Sequence, residues 1–125
     1  MSFDKKLVNS ILNQILSAID HLSEWNENIS QGDDYLCSPE GMKTLAASSM
    51  LLEAIGEGLK KIDRLTKGNF LYLRDEIPWA DVIGMRDHIA HGYFDIDADI
   101  VCDAIKNDLP GLREAIIFLK NLSED

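Results

Sequence analysis

The sequence predicts an all-α protein, an antiparallel bundle of four main helices within a single domain that spans residues 1–125. Apolar residues recur at steps of three and four along most of the chain, and helix-start signals precede these stretches. No β-type alternation of useful length and no internal repeat interrupts them. A chain of 125 residues can bury one core without disulfides or a structural metal.

The first predicted helix runs from Asp4 to about Asn28. It contains neither proline nor glycine, and its apolar residues share one face. These residues are Val8, Ile11, Leu12, Ile15, Ile19, Leu22 and Trp25. The following segment, residues 29–37, contains a glycine and two aspartates and therefore predicts a turn.

The second predicted helix has a well-marked start at Ser38, Pro39 and Glu40. A serine N-cap, a proline at the first helical position and an acid in the first turn each stabilise a helix start. The helix should run from Pro39 to about Lys67, with Gly68 ending it. Small residues such as Gly56 would let another helix approach closely, which we interpret as ordinary packing.

The third predicted helix lies within residues 77–94, IPWADVIGMRDHIAHGYF. Pro78 should take the first helical position, and an apolar stripe from Trp79 to Ile89 follows. Gly92 should end the helix. The connection before it, residues 69–76, is consistent with a short helix or with irregular structure.

The last predicted helical stretch begins at Asp97, an N-cap, and carries a second cap signal at Asp108 followed by Pro110. It is therefore one helix kinked near Pro110 or two helices that abut there. Across the whole chain we expect a buried core that includes Val8, Ile11, Ile15, Leu45, Leu52, Leu59, Ile83, Leu112, Ile116 and Leu119.

Charge is distributed unevenly along the chain. The net charge of −10 argues against broad electrostatic capture of nucleic acid. Residues 60–86 nevertheless carry +2, so the remainder carries −12, and a local basic patch is compatible with this balance. The run from Lys60 to Lys67 is interpretable as a solvated helix face with pairs such as Lys60–Asp63, or as a guide for an anionic chain.

The remaining compositional features indicate a cytoplasmic protein without a membrane segment. Cys37 and Cys102 have no metal-ligand spacing, and we expect small buried or half-buried thiols in a reducing compartment. The N-terminus lacks the apolar region of a signal peptide. No apolar run reaches the roughly 20 residues of a membrane helix.

A cluster of chemically active residues occupies the end of the third helix: Arg86, Asp87, His88, His91 and Tyr93. A nuclease needs a base and a cation, the residue types of His91 and Arg86. Five positions separate them, about 140° of rotation and 7.5 Å of rise on an ideal helix, so they converge if the helix loosens or if a phosphate lies between them. A symmetric dimer would double this sparse site.

Two other interpretations of the cluster stay open. Asp87, His88 and His91 have donor types that transition metals accept, although the spacing is a weak metal signal. Alternatively the cluster is structural, with Arg86 paired to an acid, His91 capping the helix C-terminus and Tyr93 packed.

The motif and its surroundings resemble the HepT-like branch of the HEPN superfamily. The resemblance rests on Ile77-Pro78-Trp79, on Ile83-Gly84-Met85-Arg86-Asp87 and on His91-Gly92-Tyr93-Phe94, which contain the pattern arginine, four residues, histidine, one residue, tyrosine. Segments 52–60 and 108–112 also resemble the family, so the similarity covers most of residues 38–122. One departure is Asp87, where many relatives carry asparagine; an acid there would repel a phosphate.

The resemblance implies a homodimeric bundle that acts as a metal-independent endoribonuclease toxin without a cofactor. Its partner would be a minimal nucleotidyltransferase antitoxin that adds AMP to the motif tyrosine. Carried over, Arg86 and His91 are the catalytic pair, Tyr93 is the modified residue, and Asp87 and His88 are supporting residues. We expect the helix from Pro78 to Ala90 to contribute to the dimer interface, with Trp79 as its anchor. The alternative is a non-catalytic helical subunit that binds the nucleotidyltransferase.

Overall fold

The computed structural model describes residues 3–89 and 95–124, and its regular structure is helical, which confirms the all-α prediction. The α-helices are α1 (Lys5–Trp25), α2 (Pro39–Leu65), α3 (Trp79–Ile83), α4 (Met85–Ile89), α5 (Ala98–Asp103) and α6 (Leu109–Glu124). Two 3₁₀ turns connect them, at Gly32–Leu36 and Leu71–Arg74, and a π-helical turn, Ala104–Asp108, joins α5 to α6.

The starts of α1 and α2 and the end of α2 follow from local signals. The Asp4 carboxylate accepts a hydrogen bond from the Leu7 amide at 3.0 Å, and the Ser38 hydroxyl accepts one from the Gly41 amide at 3.0 Å. After α2 the chain turns through two left-handed residues, Lys67 (φ +55°) and Gly68 (φ +76°). The predicted stop is therefore confirmed, and it includes a lysine in a conformation that usually favours glycine.

Helices α1, α2 and α6 form the packed body of the bundle. Helix α1 runs antiparallel to α2, because Asn26 contacts Ser48 while a Cβ on Gly58 would lie 3.2 Å from Ile15. Helix α6 runs antiparallel to α1, because Arg113 pairs with Asp20 at 2.8 Å while Ser123, further along α6, donates to Asn9 Oδ1 at 3.1 Å. Of the ten residues predicted to form the core, all are buried except Ile83. Ile83 is only partly buried and packs at the edge of the core.

The third helix is not continuous, which corrects the prediction. It breaks at Gly84 into α3 and α4, and Pro78 takes the N-cap position instead of the first helical one. The break lies against α2, because a Cβ on Gly56 would be 3.2 Å from the Ile83 carbonyl oxygen. The predicted stop at Gly92 lies outside the described residues.

Trp79 is a core residue, not an interface anchor as predicted. Its side chain is 1% exposed, and its indole N–H donates to the Arg74 carbonyl oxygen at 2.9 Å. A side chain that is already buried in its own subunit has no surface to offer to a second copy. Any interface must therefore use other residues.

The last stretch is one helical run from Ala98 to Glu124 that contains a π-helical turn. Asp97 caps its start by accepting from the Asp99 and Ile100 amides, both at 3.1 Å, as predicted. Asp108 is no N-cap, which corrects the prediction, because Asp108 itself lies in the π-helical turn and the helical run continues through it. Pro110 has no backbone N–H that could donate to the carbonyl of the fourth residue before it. The wider π-helical turn accommodates this missing hydrogen bond within a continuous helix.

A buried polar cluster ties the end of α1 to its neighbours. The fully buried Asn26 side chain donates to Ser48 Oγ at 3.0 Å and to the Leu22 carbonyl at 2.8 Å, and it accepts from the Tyr35 hydroxyl at 2.6 Å. Lys106 Nζ donates to the Asn26 carbonyl at 2.8 Å. Burial raises the pKa of Tyr35 to about 12, so its hydroxyl stays protonated as a donor.

The antiparallel packing sorts charge along the bundle. One end holds the start of α1 and the ends of α2 and α6, including Lys60, Arg64 and Lys67. The opposite end holds Asp33, Asp34 and Asp99, since the backbone of Gly32 lies against that of Asp99. None of the helices in residues 3–89 and 95–124 has the length and apolar character that crossing a membrane requires.

Candidate functional site

Arg86 lies near the start of α4 and reaches toward α2. Its side chain is 66% exposed, and its Nε atom is 3.9 Å from Oε1 of Glu53. At that separation the two side chains form an ion pair but no hydrogen bond. An exposed pair of this kind is worth about 0–1 kcal/mol, so an incoming phosphate can compete with Glu53 for the guanidinium.

Arg74 is the opposite case. Its side chain is 16% exposed, and its Nε donates to both carboxylate oxygens of Glu76, at 3.1 and 2.8 Å. Its Nη2 donates to Glu114 at 3.2 and 3.3 Å, and its guanidinium lies 5.0 Å from the centre of the Phe118 ring. Hydrogen bonding from Arg74 lowers the pKa of Glu76. Arg74 therefore holds the turn Leu71–Arg74 onto α6, which is a structural role.

Asp87 and His88 follow Arg86 on α4, and both are exposed. His88 points toward a cavity of about 460 Å³ between α2, the α3–α4 segment and the α5–α6 run. The cavity is mainly apolar, with Leu52, Ile55, Val82 and Met85 among its lining residues. His88 therefore faces away from the Arg86–Glu53 pair, and its supporting role stays a prediction.

Acidic side chains rim the same cavity. Asp81, Asp103 and Asp108 line it together with His88. The pKa of Asp108 is raised, first by desolvation and then by the charge of Asp103. The rim is thus a poor place for a phosphate, and an anionic substrate is better received on the Arg86 side of α4.

His91 and Tyr93, the other two motif residues, lie outside the described residues. The described residues on either side of them are joined by a hydrogen bond, in which the Asp97 amide donates to the Ile89 carbonyl at 2.8 Å. The metal alternative required His91 as a third ligand, so it stays open on that residue. Within residues 3–89 and 95–124, no group of three potential ligand side chains is arranged to hold a metal ion.

The basic run of α2 is a solvent-exposed face. Lys60, Lys61, Arg64 and Lys67 are all exposed. The predicted Lys60–Asp63 pair is wrong: it is absent from the ion pairs that the described residues form.

The cysteines do not contribute to the site. Cys102 is buried, and burial raises the pKa of its thiol. Cys37 is exposed, which corrects the expectation that both thiols would be at least half-buried.

Sequence reasoning missed Glu53, because no spacing links it to Arg86. The contact exists only because the end of α3 packs against α2 at Gly56, which brings the start of α4 beside Glu53. The sequence signal that could have indicated this contact is Gly56, because a glycine allows another element to pack closely at its position.

The described residues form an all-α bundle that presents an exposed, loosely paired arginine on its flank. The model of the family described as Ribonuclease HepT-like matches residues 15–119. The chain therefore belongs to the ribonuclease HepT-like family, and RNase activity is supported at the level of that family.

Individual relatives of the chain also carry names that describe them as ribonucleases. The chain is 34% identical over 109 residues to "Probable ribonuclease HepT" of Thermococcus cleftensis, covering 87% of this chain and 92% of that protein. It is 29% identical over 105 residues to "Putative RNase TTE0752" of Caldanaerobacter subterraneus, covering 84% and 87% of the two chains. A relative in Methanocaldococcus jannaschii, "Gamma-glutamylcyclotransferase and putative RNase MJ0434", is 30% identical over 114 residues, 90% of this chain but 47% of that protein. No solved structure matches the chain significantly.

Proposed function

We propose that this protein is a metal-independent endoribonuclease that uses Arg86 and His91 on cytoplasmic RNA. The observation that carries the proposal is the state of Arg86 in a ribonuclease HepT-like chain: it is exposed and loosely paired, whereas Arg74 is fully engaged. A cation that must bind phosphate needs this availability.

The proposed reaction is attack by a 2′-hydroxyl on the adjacent phosphorus. His91 takes the proton from the 2′-oxygen as general base, and the new P–O2′ bond forms while the P–O5′ bond breaks. Arg86 stabilises the negative charge on the pentavalent phosphorane. The 5′-oxygen leaves with a proton from solvent, which gives a 2′,3′-cyclic phosphate and a 5′-hydroxyl. The balance requires no metal.

The direct test is incubation of purified protein with total RNA in the presence of a chelator. The wild type should cleave, and His91→Ala should lose on the order of a hundredfold or more of the rate. His21→Ala is a matched control, since His21 is an exposed histidine on α1 that stacks with Trp25 at 5.7 Å. Complete inhibition by the chelator, or full activity of His91→Ala, would contradict the proposal.

We further propose that the protein is the toxin of a toxin–antitoxin pair and that Tyr93 is its regulatory residue. A nucleotidyltransferase partner would transfer AMP from ATP to the Tyr93 hydroxyl, releasing pyrophosphate. The added phosphodiester charge would compete with RNA for Arg86.

Mass spectrometry should locate the adduct on the peptide containing Tyr93. Tyr93→Phe should escape silencing, whereas Tyr72→Phe, at an exposed tyrosine of the 3₁₀ turn, should not. An adduct elsewhere would exclude this regulation.

A homodimer completes the proposal. The exposed apolar side chain of Met50 lies one helical turn before Glu53 on α2, beside the Arg86–Glu53 pair. Two copies joined there would bring two arginine sites together. Sedimentation should show about twice the monomer mass, and Met50→Glu should dissociate the dimer. Leu36→Glu, at an exposed apolar residue on the Gly32–Leu36 turn, is the control. A wild type that sediments as a monomer would refute the dimer.

A further inference from the structure

Three exposed cations near the end of α2 form what we call the basic stripe: Lys60 and Arg64 on the helix, and Lys67 in the turn that follows it. Lys60 and Arg64 are four positions apart and therefore lie on one face of the helix. Glu53, the partner of Arg86, belongs to the same face, seven residues before Lys60. The stripe therefore extends away from Arg86 along one surface, and about 16 Å of helix separates Glu53 from Arg64.

Several cations of the chain are paired and the stripe is not, a property that it shares among the described residues with Lys5, Lys6, Lys61 and Lys106. Lys43, Arg74, Arg113 and Lys120 each form an ion pair. Among the part of the chain that the structure describes, no carboxylate forms an ion pair with a residue of the basic stripe. Glu57 is the exposed acid on the same face, and it lies between Glu53 and the stripe. In a protein with net charge −10, the stripe places three exposed cations close together.

Helix stability explains only part of this arrangement. The helix macrodipole favours a cation in the last turn, which accounts for Arg64. Lys60 lies more than one turn before the end of α2. Lys67 lies beyond it with φ +55°, a conformation that disfavours residues with a Cβ and that glycine or asparagine adopts more readily. Keeping lysine at this position therefore costs stability, which points to a use for its charge.

We propose that the basic stripe binds the phosphate backbone of single-stranded RNA and leads it toward Arg86. Cations that follow a single strand give sequence-independent affinity, and that affinity depends on salt. This inference rests on the proposed RNase function and adds the substrate path. It also explains how an acidic protein can hold RNA, since the contact uses the end of the bundle that is remote from Asp33, Asp34 and Asp99.

The test measures binding separately from cleavage. The probe is a short fluorescent RNA with methylated 2′-oxygens, which cannot carry out the attack, titrated above about 0.1 M salt. The variant Lys60→Gln, Arg64→Gln, Lys67→Gln should bind at least about tenfold more weakly at 0.15 M, and its log–log salt slope should fall by roughly 2, near 0.7 for each lost phosphate contact. The control Lys43→Gln, Arg113→Gln, Lys120→Gln changes the net charge equally and should bind nearly as the wild type does.

The outcomes separate the stripe from the catalytic proposal. Equal weakening in both triple variants, or none in the first, would overturn the stripe, even if the wild type cleaves RNA. Weakening confined to the first variant in a protein that cleaves nothing would support the stripe and reject the RNase. Unchanged RNA binding with loss of nucleotidyltransferase binding would reassign the stripe to a protein partner.

Lys67→Asn gives an independent readout. Asparagine tolerates the left-handed conformation, so this variant should melt at a higher temperature than the wild type while it binds RNA severalfold more weakly. A residue kept for structure alone would show no loss of binding. Lower melting temperature together with unchanged binding would therefore overturn the role of Lys67.

Discussion

Arg74 and Arg86 flank the same α3 segment, yet their surroundings are opposite. Arg74 is held by two glutamates and an aromatic ring, whereas Arg86 contacts one glutamate at 3.9 Å. The comparison teaches that a charged residue's role depends on how many partners its own fold supplies. A satisfied arginine stabilises the fold, and an unsatisfied one is available to a ligand.

Replacing each arginine separately by alanine should distinguish an effect on activity from an effect on stability. Arg86→Ala should reduce the rate of RNA cleavage about a hundredfold or more, because no cation then stabilises the negative charge of the phosphorane. The melting temperature of this variant should be unchanged. Arg74→Ala should lower the melting temperature and leave cleavage per folded molecule intact. Thermal unfolding and initial rates measure both effects. Arg113→Ala, at another exposed paired arginine, is the control. Inactivity of folded Arg74→Ala would abolish the distinction.

The same rule applies to Tyr35, whose hydroxyl is satisfied by Asn26. Tyr35→Phe should lower the free energy of unfolding by about 1–3 kcal/mol, because a buried Asn26 Oδ1 loses its donor. Chemical denaturation at neutral pH measures this.

The pKa of Tyr35 also predicts a pH dependence. Because folding raises this pKa to about 12, its contribution to stability is complete below the ordinary value near 10 and is lost as pH rises through 12. The loss should approach about 1.4 kcal/mol per pH unit in that window. Tyr35→Phe should lack this component, and identical alkaline curves for the two proteins would contradict it.

Gly56 and Gly58 test whether Arg86 depends on how α4 is placed. A Cβ on Gly56 would lie 3.2 Å from the Ile83 carbonyl, so Gly56→Ala should displace the α3–α4 segment and reduce cleavage severalfold. A Cβ on Gly58 would meet the flexible end of Ile15, at 3.2 Å. Gly58→Ala should therefore keep activity and gain stability. Equal rates for the two variants would show that the site tolerates displacement.

The smallest expected effect comes from Glu53→Gln. Removing the acid should free Arg86 and lower KM for RNA about twofold, with little change in stability, because exposed ion pairs contribute little. Glu24→Gln, at an exposed acid on α1, is the matched control. A raised KM would indicate that Glu53 positions Arg86 instead of competing for it.

Local signals predicted the helix boundaries well, and tertiary contacts caused the errors. Ser38, Asp97 and Gly68 act within a few residues of themselves, so the sequence is enough to recognise them. The break at Gly84 depends on contact with Gly56, a residue of another helix. The Asn26 cluster likewise joins residues from four elements and has no sequence period.

The candidate site was predictable to a similar degree. The motif identified Arg86, because its residue types and spacing carry chemistry. Its availability could not be predicted, since Arg74 is the same residue type and the difference lies in Glu76, Glu114 and Phe118. His91 and Tyr93 stay predictions from the motif.

The separation of charge along the bundle has a kinetic consequence. Helix α1 has 21 residues, about 32 Å of length, so the acidic end is roughly that far from the basic stripe. At about 0.01 M salt the screening length is near 30 Å, and an approaching RNA is repelled by those distant acids. At about 0.15 M the screening length is about 8 Å, and the repulsion from the distant acids is lost while the nearby charges of the stripe still act on the RNA. The association rate constant should therefore rise as salt is first added and then fall, with a maximum at intermediate ionic strength.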